Sequence, residues 1–248
     1  MKLENKLSIH EGSLILVNAH YPCKANCKDL VTVSAPMPLC RLKTEAKDML
    51  CRLLDTVDKK EEIIPVSGWR SYTEQTEIWD SSIAENGMEF TRNYVALPGC
   101  SEHQTGLAID LALISEHVDF IRPDFPHEGV CEAFRRTMND FGFVERYPEG
   151  KEAITGIAYE PWHFRYVGIP HAAVMTDHGW TLEEYVDRLR NYPFSGDGLR
   201  AGCCGREYRI SFLEETELSA LSGLRHQNSI SISGDNDDGF IVTEQVAL

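Results

Sequence analysis

Nine residues, Gly106-Leu-Ala-Ile-Asp-Leu-Ala-Leu-Ile114, constrain this chain more than any other stretch. As a strand, the segment points successive side chains to opposite faces. Leu107, Ile109, Leu111 and Leu113 then form one apolar face that must pack on a core, while Ala108, Asp110 and Ala112 form the other. Two alanines around one carboxylate make an open floor with a single acidic group in it. An unpaired buried carboxylate is expensive, so such a floor suits a cleft in which Asp110 meets partners. His103 lies seven positions upstream on the turn leading in, close enough to converge on the same point.

A second segment, Glu160-Pro-Trp-His163-Phe-Arg-Tyr-Val167, repeats the alternation. Trp162, Phe164 and Tyr166 supply a core-side aromatic stripe, and His163, Arg165 and Val167 face away from it. Glu160 sits just upstream at a corner stiffened by Pro161. Two histidines and an aspartate hold a zinc ion with a fourth position left for water, the catalytic rather than the closed structural arrangement. A carboxylate that is not a ligand can then take a proton from that water, a role open to Glu160. A third segment, Gly68-Trp-Arg70-Ser, places a forked, permanently charged arginine at a strand–helix turn, suited to an oxyanion or a carboxylate.

Each residue alone has a plainer reading. A lone His103 or His163 is more often a hydrogen-bonded structural histidine. Asp110 and Arg70 would make a structural bridge, Arg70 would serve to close its turn, and Glu160 would be a solvated surface charge. The conjunction carries the functional reading, because packing does not require all five. His10, His20, His117, His127, His171, His178 and His226 have no comparable setting and read as structural or surface residues.

The remaining patterning mixes helices with short strands and shows no βαβ regularity, which makes the class α+β. Strands are expected at Ser13–Asn18, Ile63–Val66, Gly106–Ile114 and Phe164–Val167. A turn is expected between Pro36 and Pro38, and apolar residues from Leu39 to Val57 recur at helical spacing. Ser71-Tyr-Thr-Glu74 and Thr181-Leu-Glu-Glu184 have capping-box form and open helices to about Glu85 and Asn191. Val130–Asp140 reads as a further helix, stopped by Gly142. Beyond Arg200 the chain alternates as strands, at Tyr208–Phe212, Ser229–Ser233 and Phe240–Val242. The Ser233–Gly239 run between the last two is hairpin-turn chemistry and lacks the spaced ligands of an EF-hand loop. The expected organisation is a catalytic domain over residues 1–195, with a small antiparallel sheet flanked by helices, and a C-terminal β-hairpin extension over 196–248.

Charge narrows the partners. Among 248 residues, 24 Lys plus Arg against 39 Asp plus Glu give a net charge of −15. That balance disfavours nucleic acid, whose affinity rests on cationic contacts, and disfavours anionic lipid. No apolar run approaches the roughly 20 residues of a bilayer span. The N-terminal residues scatter charge where a signal peptide needs an apolar stretch, so the expected location is cytoplasmic, with the eight cysteines as free thiols.

Ser101-Glu-His103-Gln-Thr-Gly-Leu-Ala-Ile-Asp110 resembles the S-x-H-x-x-G-x-A-x-D motif of the zinc D-alanyl-D-alanine peptidases. Glu160-Pro-Trp-His163 is similar to their E-x-x-H, and Gly68-Trp-Arg70-Ser-Tyr-Thr-Glu-Gln75 to their G-[YW]-R-S-x-x-x-Q. These are the VanX dipeptidases, VanY carboxypeptidases and bifunctional VanXY enzymes of vancomycin resistance. The resemblance spans about Leu14 to Asn191. Leu14–Asn18 is similar to VanY-like members, and the Ser233–Thr243 ending looks like the VanXY type. The resemblance implies His103, Asp110 and His163 as zinc ligands, Glu160 as base and Arg70 as oxyanion partner, with Ser101 and Gln75 holding substrate. Trp69 replaces the commoner tyrosine, which bears on pocket shape. The implied substrates are D-Ala-D-Ala and soluble peptidoglycan precursors. Two rivals are a phage-type peptidoglycan endopeptidase, for which the acidic chain shows no basic wall-binding module, and a non-catalytic metal-binding module, which would not require Glu160 and Arg70.

Overall fold

A computed structural model describes residues 7–25, 27–34, 37–221 and 229–246. The chain forms two compact units, one of Val17–Thr181 and one drawn from Met1–Leu16 and Leu182–Leu248. This division differs from the expected boundary at 195/196, and hydrogen bonding explains why. Leu14 N–H donates to Ser233 Oγ at 2.9 Å, Leu16 N–H donates to Asp235 O at 3.0 Å, and Asn236 Nδ2 donates to Leu16 O at 2.9 Å. The N-terminal segment therefore groups with the C-terminal strands. The same bonds correct the expected strand at Ser13–Asn18. Leu14, Ile15, Leu16 and Val17 are buried, but no strand forms, and the bonds of Leu14 and Leu16 run to the Ser233 side chain and the turn after it rather than to a ladder.

The larger unit opens with strand β1 (Leu30–Ser34) paired antiparallel to β2 (Met37–Lys43), which runs directly into helix α1 (Thr44–Leu54). The helical spacing from Leu39 thus misreads its first turn. Cys40 and Leu42 are buried by strand alternation, and helical burial starts at Ala46 and continues through Met49, Leu50 and Leu53. Of the turn expected between Pro36 and Pro38, Pro36 lies outside the described residues, and Met37 and Pro38 begin β2.

Strand β3 (Ile63–Ser67) leads through the Gly68–Arg70 turn into α2 (Tyr72–Asn86) and α3 (Met88–Tyr94). The predicted capping box is present on α2: Ser71 Oγ accepts from Glu74 N–H, and Glu74 Oε2 accepts from Ser71 N–H. After a 3₁₀ turn at Glu102–Thr105 come β4 (Ala108–Leu113), α4 (Gly129–Met138), β5 (Phe143–Glu145), α5 (Glu152–Thr155), β6 (His163–Tyr166) and α6 (Ile169–His178).

These strands form an antiparallel sheet of order β3-β4-β6-β5. Leu107, Ile109 and Leu111 meet Phe134, Trp162 and Phe164 in one core beneath it, as the alternation predicts. Register then decides what the other face presents. Ser67 pairs with Asp110, and Asp110 pairs with His163, so three strands carry one row of polar side chains over an apolar floor.

The smaller unit contains α7 (Leu182–Leu189) and strands β7 (Leu199–Cys203), β8 (Arg206–Glu214), β9 (Ile230–Gly234) and β10 (Gly239–Val246). Their sheet has the order β7-β8-β10-β9, so the expected terminal hairpin is half of a four-stranded sheet. Leu213, Leu221, Phe240 and Val242 form its core. Its acidic turn is partly offset by one cation: Arg190 Nη2 lies 3.0 Å from both Asp235 and Asp237, and Nη1 lies 2.6 Å from Asp238. No helix among the described residues is long and apolar enough to cross a membrane. All eight cysteines are free.

Candidate active site

Every residue proposed from sequence for the site lies in the larger unit, on the polar face of its sheet, on the turns beside it or, for Gln75, in the first turn of α2. The Gly68–Arg70 turn is pressed against β2. A Cβ on Gly68 would stand 2.4 Å from Arg41 O, so only glycine lets this turn approach, and Trp69 N–H donates to the same carbonyl at 2.6 Å. Gly106 ends the 3₁₀ turn in the left-handed region at φ +70°, where the chain swings from His103 into β4.

His103 is buried with its Nδ1 2.7 Å from Gly68 O. Only an N–H can pair with a carbonyl, so the proton sits on Nδ1 and the Nε2 lone pair faces Asp110 Oδ2 at 3.2 Å. Across the β4–β6 pair, His163 Nδ1 lies 2.9 Å from Asp110 Oδ1. The two imidazoles stand edge to face at 4.9 Å. One ligand atom each from His103, Asp110 and His163 falls within 4.8 Å of the others, and all three residues are buried. Two imidazole nitrogens and a carboxylate oxygen in this arrangement fit a zinc ion by donor type and number.

Arg70 borders this cluster. Its Nη2 donates to Asp110 Oδ2 at 2.8 Å, its Nε to Ser67 Oγ at 2.7 Å and its Nη1 to Gln75 Oε1 at 3.3 Å. Gln75 is fully buried, and its Nε2 donates to Ala96 O at 2.8 Å, so the amide is engaged at both ends. Ser101 is buried in the wall at the start of the 3₁₀ turn. Glu160 Oε2 lies 3.8 Å from His163 Nδ1. These residues line a cavity of about 670 Å³ whose wall also carries Tyr94, Phe120, Ile121 and Tyr147.

The electrostatics sort the carboxylates. Burial pushes Glu160 up to about 8, only partly opposed by His163. Asp110 behaves oppositely: burial raises it, but His103 and His163 outweigh that and hold it well below the usual carboxylate range. Burial, helped by Arg70, lowers His103 to about 4, which keeps its lone pair available. In His163 burial works downward too, but the Asp110 and Glu102 carboxylates prevail and hold it at about 9. Cys40, also in the wall, is pushed up to about 12 by burial and is a neutral thiol rather than a nucleophile.

Sequence reasoning passed over the layer behind these groups. Glu102 is fully buried between Arg146 and Arg165, and the Tyr147 ring packs 4.9 Å from that of His163. Ser67 lies just past the strand expected at Ile63–Val66 and was not singled out. The clue to Glu102 was its place between Ser101 and His103 on the same turn. Nothing local marks Arg146, whose burial is decided by tertiary packing.

The fold and this cluster define a D-alanyl-D-alanine peptidase, and the chain belongs to the VanY family. The family profile described as D-alanyl-D-alanine carboxypeptidase matches residues 40–169, which include every site residue above. The bifunctional D-Ala-D-Ala dipeptidase and carboxypeptidase VanXYC of Enterococcus gallinarum is 45% identical over 181 residues, covering 72% of this chain and 95% of that one. A D-alanyl-D-alanine carboxypeptidase of Enterococcus faecium is 30% identical over 253 residues, covering 95% and 76%. The solved structure of the vancomycin-resistance D,D-dipeptidase VanXYg with a D-Ala-D-Ala phosphinate analogue matches with a TM-score of 0.88 at 42% identity, covering 96% of this chain and 95% of that one. A zinc complex of a VanY D,D-pentapeptidase mutant matches with a TM-score of 0.57 at 34% identity, covering 70% and 98%.

Proposed function

We propose that this chain is a zinc-dependent D,D-dipeptidase and D,D-carboxypeptidase that removes terminal D-Ala from D-Ala-D-Ala and from soluble peptidoglycan precursors. In doing so it would deplete the target of vancomycin. The observation that carries this reading is the convergence of His103, Asp110, His163, Glu160 and Arg70 on one cavity in the Val17–Thr181 unit. That unit would be the catalytic domain. The bifunctional name of VanXYC, the relative at 45% identity, supports activity on both substrates.

His103, Asp110 and His163 would hold the zinc, which would supply Lewis acidity toward the scissile carbonyl and toward water. Arg70, fixed by Ser67, Gln75 and Asp110, presents a rigid guanidinium for the oxygen that gains charge as the carbonyl carbon becomes tetrahedral. Glu160 is the base. Its raised proton affinity matches a group that accepts a proton from water and returns it to the leaving amine near neutral pH. Ser101, in the wall, would bind the substrate's polar backbone, and Gln75 would contribute there as well as steadying Arg70. An acidic chain without a membrane-crossing helix among its described residues fits a cytoplasmic enzyme acting on soluble substrates, with neither nucleic acid nor membrane as partner.

The test is direct. Purified protein is incubated with D-Ala-D-Ala, a D-Ala-D-Ala-ended nucleotide pentapeptide and its D-Ala-D-Ser-ended counterpart, with and without chelator, and released amino acid is measured. Both D-Ala-ended substrates should be cut and chelation should abolish the activity. The D-Ser ending should be cut about 10–100-fold more slowly, since a pocket rejects an added hydroxyl only modestly. Equal rates on the two endings would remove the resistance role and leave the peptidase.

A further inference from the structure

Behind His163 lies a buried ionic cluster that the chemistry above does not use. Glu102, at the start of the 3₁₀ turn, has a fully buried side chain. Its Oε1 accepts from Arg146 Nε at 2.7 Å and stands 2.9 Å from Arg165 Nη1, both arginine side chains being fully buried too. One oxygen thus takes a hydrogen bond from Arg146 and an ion pair with Arg165. The other, Oε2, has no hydrogen-bond partner, and neither does the buried Nε2 of His163. These two atoms face one another at 3.7 Å.

An orphaned buried carboxylate oxygen and an orphaned buried imidazole nitrogen are each costly. The gap exceeds a hydrogen bond, yet it is shorter than the about 4.5 Å that a bridging water would span with two ordinary bonds. Direct closure is the arrangement that satisfies both. It also has a direction. A carboxylate held by two arginines only accepts, so His163 Nε2 carries a proton, and with zinc bound the nitrogen beside Asp110, Nδ1, would be the lone-pair atom.

We propose that Glu102 is a positioning residue for His163: its Oε2 accepts a hydrogen bond from Nε2–H and fixes the ring with Nδ1 turned to the metal site. The inference rests on the zinc reading above. A carboxylate behind a ligating histidine sets the tautomer, aims the ring and raises its basicity, and losing it costs about 10–100-fold in metal affinity. Arg146 and Arg165 have a matching part, since by claiming Oε1 they aim Oε2.

Glu102→Gln is the informative variant. The two arginines, being donors, claim the amide oxygen, so the amide nitrogen faces His163 Nε2 and donates to it. That moves the imidazole proton to Nδ1, the atom that must bind metal. Zinc dissociation constants are measured by competition with a chromophoric chelator, and zinc-loaded protein labelled with ¹⁵N-histidine reports the His163 Nε2 proton by NMR. In the native protein this proton should lie downfield and exchange slowly. Glu102→Gln should weaken zinc binding about 10–100-fold and lower kcat more than it raises KM, and Glu102→Asp should recover part of the affinity. A Glu102→Gln protein with lowered Tm but native zinc affinity would reduce Glu102 to a counter-ion and overturn the proposal. If that variant does not fold, the native protein decides alone, because a His163 Nε2 proton exchanging as fast as a free imidazole's overturns it equally. Native protein that takes up no stoichiometric zinc would instead remove the zinc reading, and this inference with it.

Discussion

At the scale of single residues, a carboxylate, an imidazole and a guanidinium divide the labour, and substitution separates them. Glu160 lies 3.8 Å from His163 and outside the ligand triad, so Glu160→Ala should keep bound metal and lose turnover, whereas His163→Ala should lose both. Metal analysis alongside initial rates checks this, and an equal fall in metal content would make Glu160 a ligand. Arg70→Ala should lower kcat about 10²–10³-fold with a smaller change in KM, because an oxyanion partner acts mainly in the transition state. Lysine should not rescue it. A point charge cannot reproduce simultaneous bonds to Ser67, Gln75 and Asp110. An effect confined to KM would make Arg70 a holder of the substrate carboxylate.

At the scale of elements, caps and register carry the precision of the site. Ser71→Ala removes one half of the capping box on α2, the helix that begins two residues after Arg70, and should cost about 1 kcal/mol in urea denaturation while leaving KM nearly unchanged. This cap was legible in the sequence, because Ser71 and Glu74 stand at the spacing the motif needs. The faces of β4 and β6 were legible for a similar local reason, since alternation sorts Ile109 from Asp110 and Phe164 from His163 without any knowledge of the fold. Strands β1 and β2 were not. Cys40 and Leu42 suit a helix and a strand equally well, and only pairing of Val31 with Leu42 settles the matter. The buried leucines of Leu14–Leu16 misled in the other direction, since burial there comes from a turn that lies more than two hundred residues away in sequence. Glu102 and Arg146, 44 residues apart, are charged residues that sequence places at the surface by default. Only the fold brings them together in the interior.

At the scale of the whole molecule, stability should respond to acid through a group remote from the chemistry. His171, on α6, is buried, and its burial lowers it to about 3. The unfolded chain takes up that proton near 6.5, so this contribution is complete above pH 6.5 and is lost as pH falls toward 3, with a slope of up to about 1.4 kcal/mol per pH unit. Thermal melts between pH 7 and 5 should show the decline, and His171→Phe should flatten it; an unchanged slope would assign the acid response to other groups. The pairing of Asp110 with His163 has a different consequence, for descent rather than stability. A one-residue slip between β4 and β6 would carry both side chains through the sheet to its greasy side, so the length of the chain between them can drift while its count within each strand cannot. A library of single-codon deletions, selected for growth on vancomycin, should show two silent windows at Ala108–Leu113 and His163–Tyr166, with survivors recovered from the exposed Ser115–His117 bend between them. Heredity would then read the sheet's register as a fixed number, and the loop's as free text.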